Sequence, residues 1–543
     1  MKWTMSALAA LVLAHAPLDA QVTLSSAVNA ASYLNPVLPN GNLAQGGVFI
    51  AFGAGMGPAK LQEISAFPLP TNLGGTSIAV TVNGTTVNCI MLYTSAAQVA
   101  AVLPSDTPVG AGTMVLSYNN TPSAPLNVTV AAHDFGIFAI NQGGSGPGVV
   151  TNAITNTVIT STASANPENL LDIWGTGLGP VAGNEAAGPL PGNLPNLDLQ
   201  VYVGSQKATV NYAGRSGCCT GLDQIEITVP SGVYGCAIPV YFVVGGVTSN
   251  FVTTSIAQSG STCVNPSALT AGQQQSAQAN GGLRTGSASL SRFYEYTAKI
   301  NYESDSAGVV FSKVPLVDLQ LAGNVPPPVA NTCLLVQFQS GGLAGFVAST
   351  PLQAGTITLG GPIGSYTLVS PQPGDYGITF SPSSPSGEAG VINKGTVFTA
   401  GTYTFTGASG ADIGAFNVSI PFPTPLNWTN RPTVPATVDR SKPLTINWTN
   451  GYAGALLYIN GQSQASLGVG AQFTCYADAT AGTFTVPQAV LEAMPPTYLS
   501  NGNAQGSLDV YQVYSGPGFT APGIDIGTTM FSDGFDIGPI TYQ

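Results

Sequence analysis

Phe52-Gly53-Ala54-Gly55-Met56-Gly57-Pro58 closes a short apolar run, and Trp174-Gly175-Thr176-Gly177-Leu178-Gly179-Pro180 writes the same phrase again further along the chain. Each copy is followed by a Pro-Leu-Pro-x-Asn-Leu segment, at residues 68–73 and 189–194, and then by an alternating run, 78–82 or 199–203, that ends in a turn. Gln98 stands six residues before Pro104 as Gln224 does before Pro230, and Ser123 and Ser249 each follow that proline by nineteen. A phrase that recurs with its downstream partners in register signals an internal duplication. Copy two differs mainly by an insertion, Gly214-Arg215-Ser216-Gly217-Cys218-Cys219.

Around these phrases the pattern is period-two alternation in short runs, bounded by Gly, Pro and Asn about every ten residues, which predicts antiparallel sandwich strands. Composition agrees: of 543 residues, 67 are Gly and 41 Pro, only 7% are charged, and 44% are hydrophobic. That balance suits strands and tight turns, and it supplies enough apolar surface for several cores. The fold class expected is all-β: tandem immunoglobulin-like sandwiches followed by a C-terminal β-sandwich region. We divide the chain into a secretory leader (1–20), repeat 1 (21–132), repeat 2 (133–257), a polar linker or short helix (258–285) and two further sandwich domains (286–424 and 425–543). Pro421 to Pro425 mark the last boundary.

The leader reading rests on Lys2, the apolar stretch 5–14 and a small residue, Ala20, at the expected cleavage point. No later run is long enough for a transmembrane helix, so a secreted or cell-surface location is expected. Export permits disulfides. Cys218, Cys219, Cys236 and Cys263 are close enough in sequence to form two bridges, with adjacent Cys218 and Cys219 each expected to reach a distant partner; Cys333 and Cys475 are placed to clip the C-terminal region. Cys89, inside an apolar run, is expected to stay unpaired. No Cys-x-x-Cys pair or nearby His supports zinc.

The phrases Val28-Asn29-Ala30-Ala31-Ser32-Tyr33 and FGAGMGP, with PLPTNLGG, and in the second copy WGTGLGPV, GRSGCCTGLDQIEITVP and GVTSNF, resemble an uncharacterised exported β-repeat family abundant in Acidobacteria of the Solibacter type. That family is akin to IPT/TIG immunoglobulin-like modules. The resemblance covers residues 22–257 and implies sandwich modules on secreted proteins, with no catalytic residues to carry over.

The glycine phrases are spaced GxGxG, and Pro58 and Pro180 lead into loop rather than helix, so they are read as turns, not as phosphate cradles. A net charge of −12 with only 12 Lys and Arg argues against nucleic acid. After the leader, His133 beside Asp134 is the one histidine, too few for a triad or a His-rich metal centre, and is expected at the junction of the repeats. Asp223, Glu226, Glu295 and Glu303 have no sequence frame that singles them out as glycosidase acids. Ser532-Asp533-Gly534-Phe535-Asp536 offers two acids but not the ligand density of a calcium loop. Trp448 is expected in a core, whereas Trp428, flanked by polar residues, is the candidate exposed glycan contact. No cofactor and no metal is expected. The chain is read as non-enzymatic, with a structural or adhesive role; the alternative is carbohydrate binding or, at further remove, an exported polysaccharide hydrolase. The partner expected is an extracellular protein or glycan.

Overall fold

The computed structural model describes residues 21–265, 269–297, 301–316, 328–339, 348–382 and 390–543. The leader lies outside the described residues. Among those described, the chain is all-β apart from two short α-helices, Ala271–Asn280, in the stretch read as linker or short helix, and Gln488–Glu492. Thr270 caps the first, its hydroxyl accepting from Gln273 N–H while the Gln273 side chain returns to the Thr270 backbone, and Gly281 ends it with φ +66°.

Both repeats are two-sheet sandwiches. In repeat 1 the Val48–Ala54 strand lies between Thr23–Asn29 and Gln98–Val102, and the facing sheet holds Leu126–Ala131, Gly110–Tyr118 and Thr76–Val82. Alternation along Thr76–Val82 turns Ile78, Val80 and Val82 inward, where they meet Phe49, Met91 and Leu116 in a closed core. Each such side chain contributes roughly 1.5–3 kcal/mol by leaving water. Repeat 2 reproduces the arrangement. Trp174 pairs with Gln224 where Phe52 pairs with Gln98. Ser249 bridges to Phe242, its N–H donating to the carbonyl and its Oγ accepting from the amide, as Ser123 does to Leu116.

The glycine phrases end those strands because side chains have no room there. A Cβ on Gly53 would lie 1.9 Å from the Thr23 carbonyl oxygen, and one on Gly175 2.2 Å from the Phe135 ring. Gly55 and Gly177, with φ of +64° and +97°, then turn the chain so that Met56 and Leu178 drop into the cores.

The C-terminal half departs from the expected division at residue 425. One eleven-stranded sheet runs across it. The Gly282–Thr297 strand, which begins inside the stretch read as linker, pairs antiparallel with Asn301–Pro315 and in parallel with Ile526–Gly538, from Thr285 opposite Ile526 to Thr297 opposite Gly538. Two smaller covers lie on the same face of this sheet. One is a four-stranded sheet that includes Gly401–Gly407 and Phe416–Phe422 and closes a core around Phe311, Phe380, Tyr403 and Phe531. The other contains Leu444–Thr449 and the helix Gln488–Glu492, and closes a core around Ile446, Leu457, Phe473 and Val490. Two covers give the sequence the look of two sandwiches, and parallel pairing across some 240 residues leaves no local trace.

Candidate functional site

Trp428 is buried, 3% exposed, and lies directly opposite Trp448 on the neighbouring strand. Its Nε1 donates to Asn430 Oδ1 and its ring meets Phe535 edge-on. The polar flanks Asn427 and Thr429 point out because strand neighbours alternate, while Leu426 and Trp428 share the inward face. Trp428 therefore offers no platform to a glycan. Trp448 is buried as expected, its Nε1 donating to the Ala479 carbonyl.

Cys218 and Cys219 form a disulfide with each other instead of reaching distant partners. Both sit exposed at the tip of the insertion, while Cys236 is taken by Cys263 and Cys333 by Cys475. Cys333 and Cys475 face one another on paired strands, and Cys89 is free and fully buried.

The insertion's main contribution is a buried joint between the repeats. Arg215 is ion-paired with Asp223, donates to the Gly179 carbonyl at 2.8 Å and crosses to repeat 1 to donate to the Gly46 carbonyl at 2.8 Å. Glu185 faces it at 3.9 Å and accepts from Ser105 N–H of repeat 1. His133, expected at the junction, is held within repeat 2, its Nδ1 2.7 Å from the Leu178 carbonyl. Next to it Asp134 accepts from Asn42 N–H, and burial lifts its carboxyl to about 7. Asp223 is thereby committed to an ion pair. Glu226 faces Asp172 on a half-buried sheet surface, and Glu303 stands opposite Tyr294.

Glu295 falls on a different kind of surface. Along the strands Leu456–Ser466, Val469–Asp478, Gly506–Ser515 and Ile526–Gly538, one set of side chains is the core: Leu457, Ile459, Phe473, Val510 and their neighbours. The alternate set faces outward in two cross-strand rows. The first runs Tyr476, Tyr458, Tyr511, Gly534 and Phe293; the second runs Thr474, Asn460, Asp509, Asp536 and Glu295. Tyr458 and Tyr511 stack at 5.1 Å between ring centroids with 13° between planes, and Tyr476 meets Tyr458 nearly edge-on at the same distance. Gly534 is required by this row, since a Cβ there would lie 2.1 Å from that of Tyr511. The SDGFD segment is thus a strand: Asp533 points into the core, where it accepts from Leu426 N–H, and Asp536 points out.

The second row is wired together. Asn460 Nδ2 donates to Asp509 Oδ2 at 3.1 Å, while its Oδ1 accepts from Gln472 Nε2 at 2.8 Å and from Thr474 Oγ1 at 3.0 Å. Asp509 and Asp536 stand directly opposite each other on paired strands, and Asp536 Oδ1 is buried without a hydrogen-bond partner. Burial, then the neighbouring Asp509, lifts the Asp536 carboxyl to about 7, and Asp509 is raised by burial as well. Two facing carboxylates disfavour double ionisation, so the pair keeps a proton up to near neutrality. Burial also raises all three phenols, Tyr511 to about 12, which keeps them as neutral hydroxyl donors. The face thus offers aromatic rings, amides and a half-neutralised acid pair side by side. Sequence reading missed it, although Tyr458-x-Asn460-x-Gln462 alternates polar residues with a buried set and carried the signal.

Among the described residues no group of three or more His, Cys, Asp or Glu is placed to hold a metal, and no helix is long and apolar enough to cross a membrane. No protein-family model and no curated protein matches the chain. Among solved structures, the chain is similar to SGBP-B from a xyloglucan utilization locus in Bacteroides uniformis, at 10% identity over 74% of this chain and 97% of that one, with a TM-score of 0.18. It is also similar to domains 4–9 of the surface layer protein SbsC (12% identity, 94% and 65% covered, TM-score 0.16) and to the I9-I11 tandem of titin (8%, 70% and 94%, TM-score 0.12). At these TM-scores none of the three bears on what this chain does.

Proposed function

We propose that the chain is a non-enzymatic, exported β-sandwich protein that binds neutral glycans on the outward face of its large C-terminal sheet. The observation that carries the reading is the pair of rows, three tyrosines beside Asn460, Gln472 and the Asp509–Asp536 pair. Aromatic rings suit the apolar faces of sugar rings, and fixed amides and carboxyls suit their hydroxyls. Net charge of −12 and the acids of the second row repel polyanions, which selects neutral chains. Hydrolysis is the weaker reading: Asp509 and Asp536 are cross-strand neighbours on one sheet face rather than two carboxyls flanking a cleft. Export is supported by the leader-like N-terminus and by three disulfides, which suit an oxidising compartment.

A structural or adhesive role is favoured by a separate observation, the Arg215 joint, which makes the two repeats a stiff stem for the sheet. The test is affinity gel electrophoresis of the chain without residues 1–20 against a panel of soluble neutral and acidic polysaccharides. Retardation by at least one neutral polysaccharide, lost in Tyr458→Ala, is expected. Retardation unchanged in that variant, or seen only with acidic chains, contradicts the reading.

A further inference from the structure

The insertion that distinguishes repeat 2 ends in Cys218 and Cys219, neighbours in the chain joined by a disulfide. The other two bridges span sequence separations of 27, from Cys236 to Cys263, and 142, from Cys333 to Cys475. A disulfide stabilises a fold mainly by closing such a loop in the unfolded chain. Between adjacent residues there is no loop to close, so the Cys218–Cys219 bond adds almost nothing to stability by that route. Its surroundings differ as well. Cys218 and Cys219 are exposed, Cys236 and Cys263 are half-buried, and Cys333 and Cys475 are at most 4% exposed. Thiol exchange requires an attacking sulfur to reach the bond, so the adjacent pair is the one most open to it.

The exposed pair stands on a fixed base. The Ser216 amide donates to the Leu222 carbonyl at 2.9 Å, Thr220 Oγ1 donates to the Glu185 carbonyl at 3.1 Å, and the Gly221 carbonyl accepts from Thr176 Oγ1 at 2.6 Å. Both sides of the tip are held in this way while the sulfurs stay at the surface. Ser216, itself 2% exposed, also distinguishes the two sulfurs. Its Oγ accepts from Cys218 N–H at 3.2 Å and its hydroxyl donates to Cys218 Sγ at 3.4 Å, whereas among the described residues no such donor reaches Cys219 Sγ.

We propose that Cys218–Cys219 is a thiol-exchange site whose co-reactant is a dithiol, with Ser216 as the positioning residue that selects the leaving sulfur. One thiolate of the dithiol attacks Cys219 Sγ. A bond forms between those two sulfurs, the Cys218–Cys219 bond breaks, and Cys218 Sγ departs with the electron pair as a thiolate, which the Ser216 hydroxyl stabilises until solvent protonates it. The second thiol of the dithiol then attacks its own sulfur in the mixed disulfide, and Cys219 leaves as a thiolate and is protonated in turn. The chain gains two electrons and two protons, and the dithiol becomes a disulfide. The site draws on neither the tyrosine rows nor glycan binding.

The experiment titrates dithiothreitol, as the dithiol, into the folded chain without residues 1–20, traps free thiols with N-ethylmaleimide and reads the labelled peptides by mass. Cys218 and Cys219 are expected to label at a dithiothreitol concentration roughly tenfold or more below that needed for Cys236 and Cys263. In Ser216→Ala, reduction of the adjacent pair should slow about fivefold, the contribution of one hydrogen bond to the departing thiolate, while Cys236–Cys263 keeps its rate; Ser216→Thr should restore the faster reaction. A merely structural Ser216 would act the other way, since a loosened tip speeds attack. If Ser216→Ala does not fold, the unsubstituted chain carries the test: a brief pulse of glutathione should leave its adduct on Cys219 and the free thiol on Cys218. Absence of the Cys218–Cys219 bond from the isolated chain, reduction of Cys236–Cys263 at the same concentration, unchanged or faster reduction in Ser216→Ala, or an adduct on Cys218 overturns the proposal.

Discussion

The N-terminal pair of repeats and the C-terminal sheet place their clustered charged residues differently. The repeats bury one cluster at the joint between the copies, where Arg215, Asp223, Glu185 and Asp134 are each at most 6% exposed, and leave Lys60, Glu63, Asp106, Glu168 and Lys207 at the surface. The C-terminal sheet buries one comparable pair, Arg292 with Asp305, which also holds the Phe398 backbone, and keeps Asp509, Asp536 and Glu295 on its outward face. Buried charges at a joint fix geometry, whereas charges beside half-buried aromatic rows stay open to solvent; under the proposed function the two halves divide into stem and recognition surface.

The largest effect expected from breaking this contrast comes from Arg215→Met. Removing the cation leaves Asp223 and Glu185 buried without it, which costs about 3–5 kcal/mol. Urea denaturation measures the loss, and limited proteolysis should show cleavage between the repeats while the C-terminal sheet stays protected. A change below about 1 kcal/mol would remove the joint from the account.

Ser123→Ala and Ser249→Ala sharpen the comparison within the stem. Each frees one buried amide, of Leu116 or Phe242, and each should lower stability by about 1–2 kcal/mol. Equal losses are the signature of a duplicated device; a loss in one copy only would separate them.

The smallest effect belongs to the outward face. A carboxyl raised on folding binds its proton more tightly in the folded state, so its contribution is complete below the unfolded value near 4 and is lost as pH rises through about 7. Stability should therefore fall from pH 4 to pH 8, by on the order of 1 kcal/mol from Asp536 after allowance for solvent screening. Asp134 adds to the same slope. Asp536→Asn should flatten the profile and raise the melting temperature at pH 8. A steeper fall in that variant would contradict the retained proton.

Much of the stem was legible in the sequence because its signals are local. The glycine phrases, the Gln98 and Gln224 spacings and the two serines each report a contact within one repeat, and the copies confirm one another. The Arg215 joint was not legible: the insertion drew notice to its cysteines, while the arginine acts on a carbonyl 169 residues away. Trp428 was misread for want of its alternation partner, Leu426. The outward face depends on register among strands drawn from residues 282–297 and 456–538, and only the pairing brings Asp509, Asp536 and Glu295 into one row.

Glycan binding by that row is tested most directly by calorimetric titration of the full chain lacking residues 1–20 with oligosaccharides cut from whichever neutral polysaccharide retards it in gels. Saturable binding in the parent, with affinity reduced tenfold or more by Tyr458→Ala and by Asn460→Ala, is the predicted result. Equal affinity in parent, Tyr458→Ala and Asn460→Ala would contradict it.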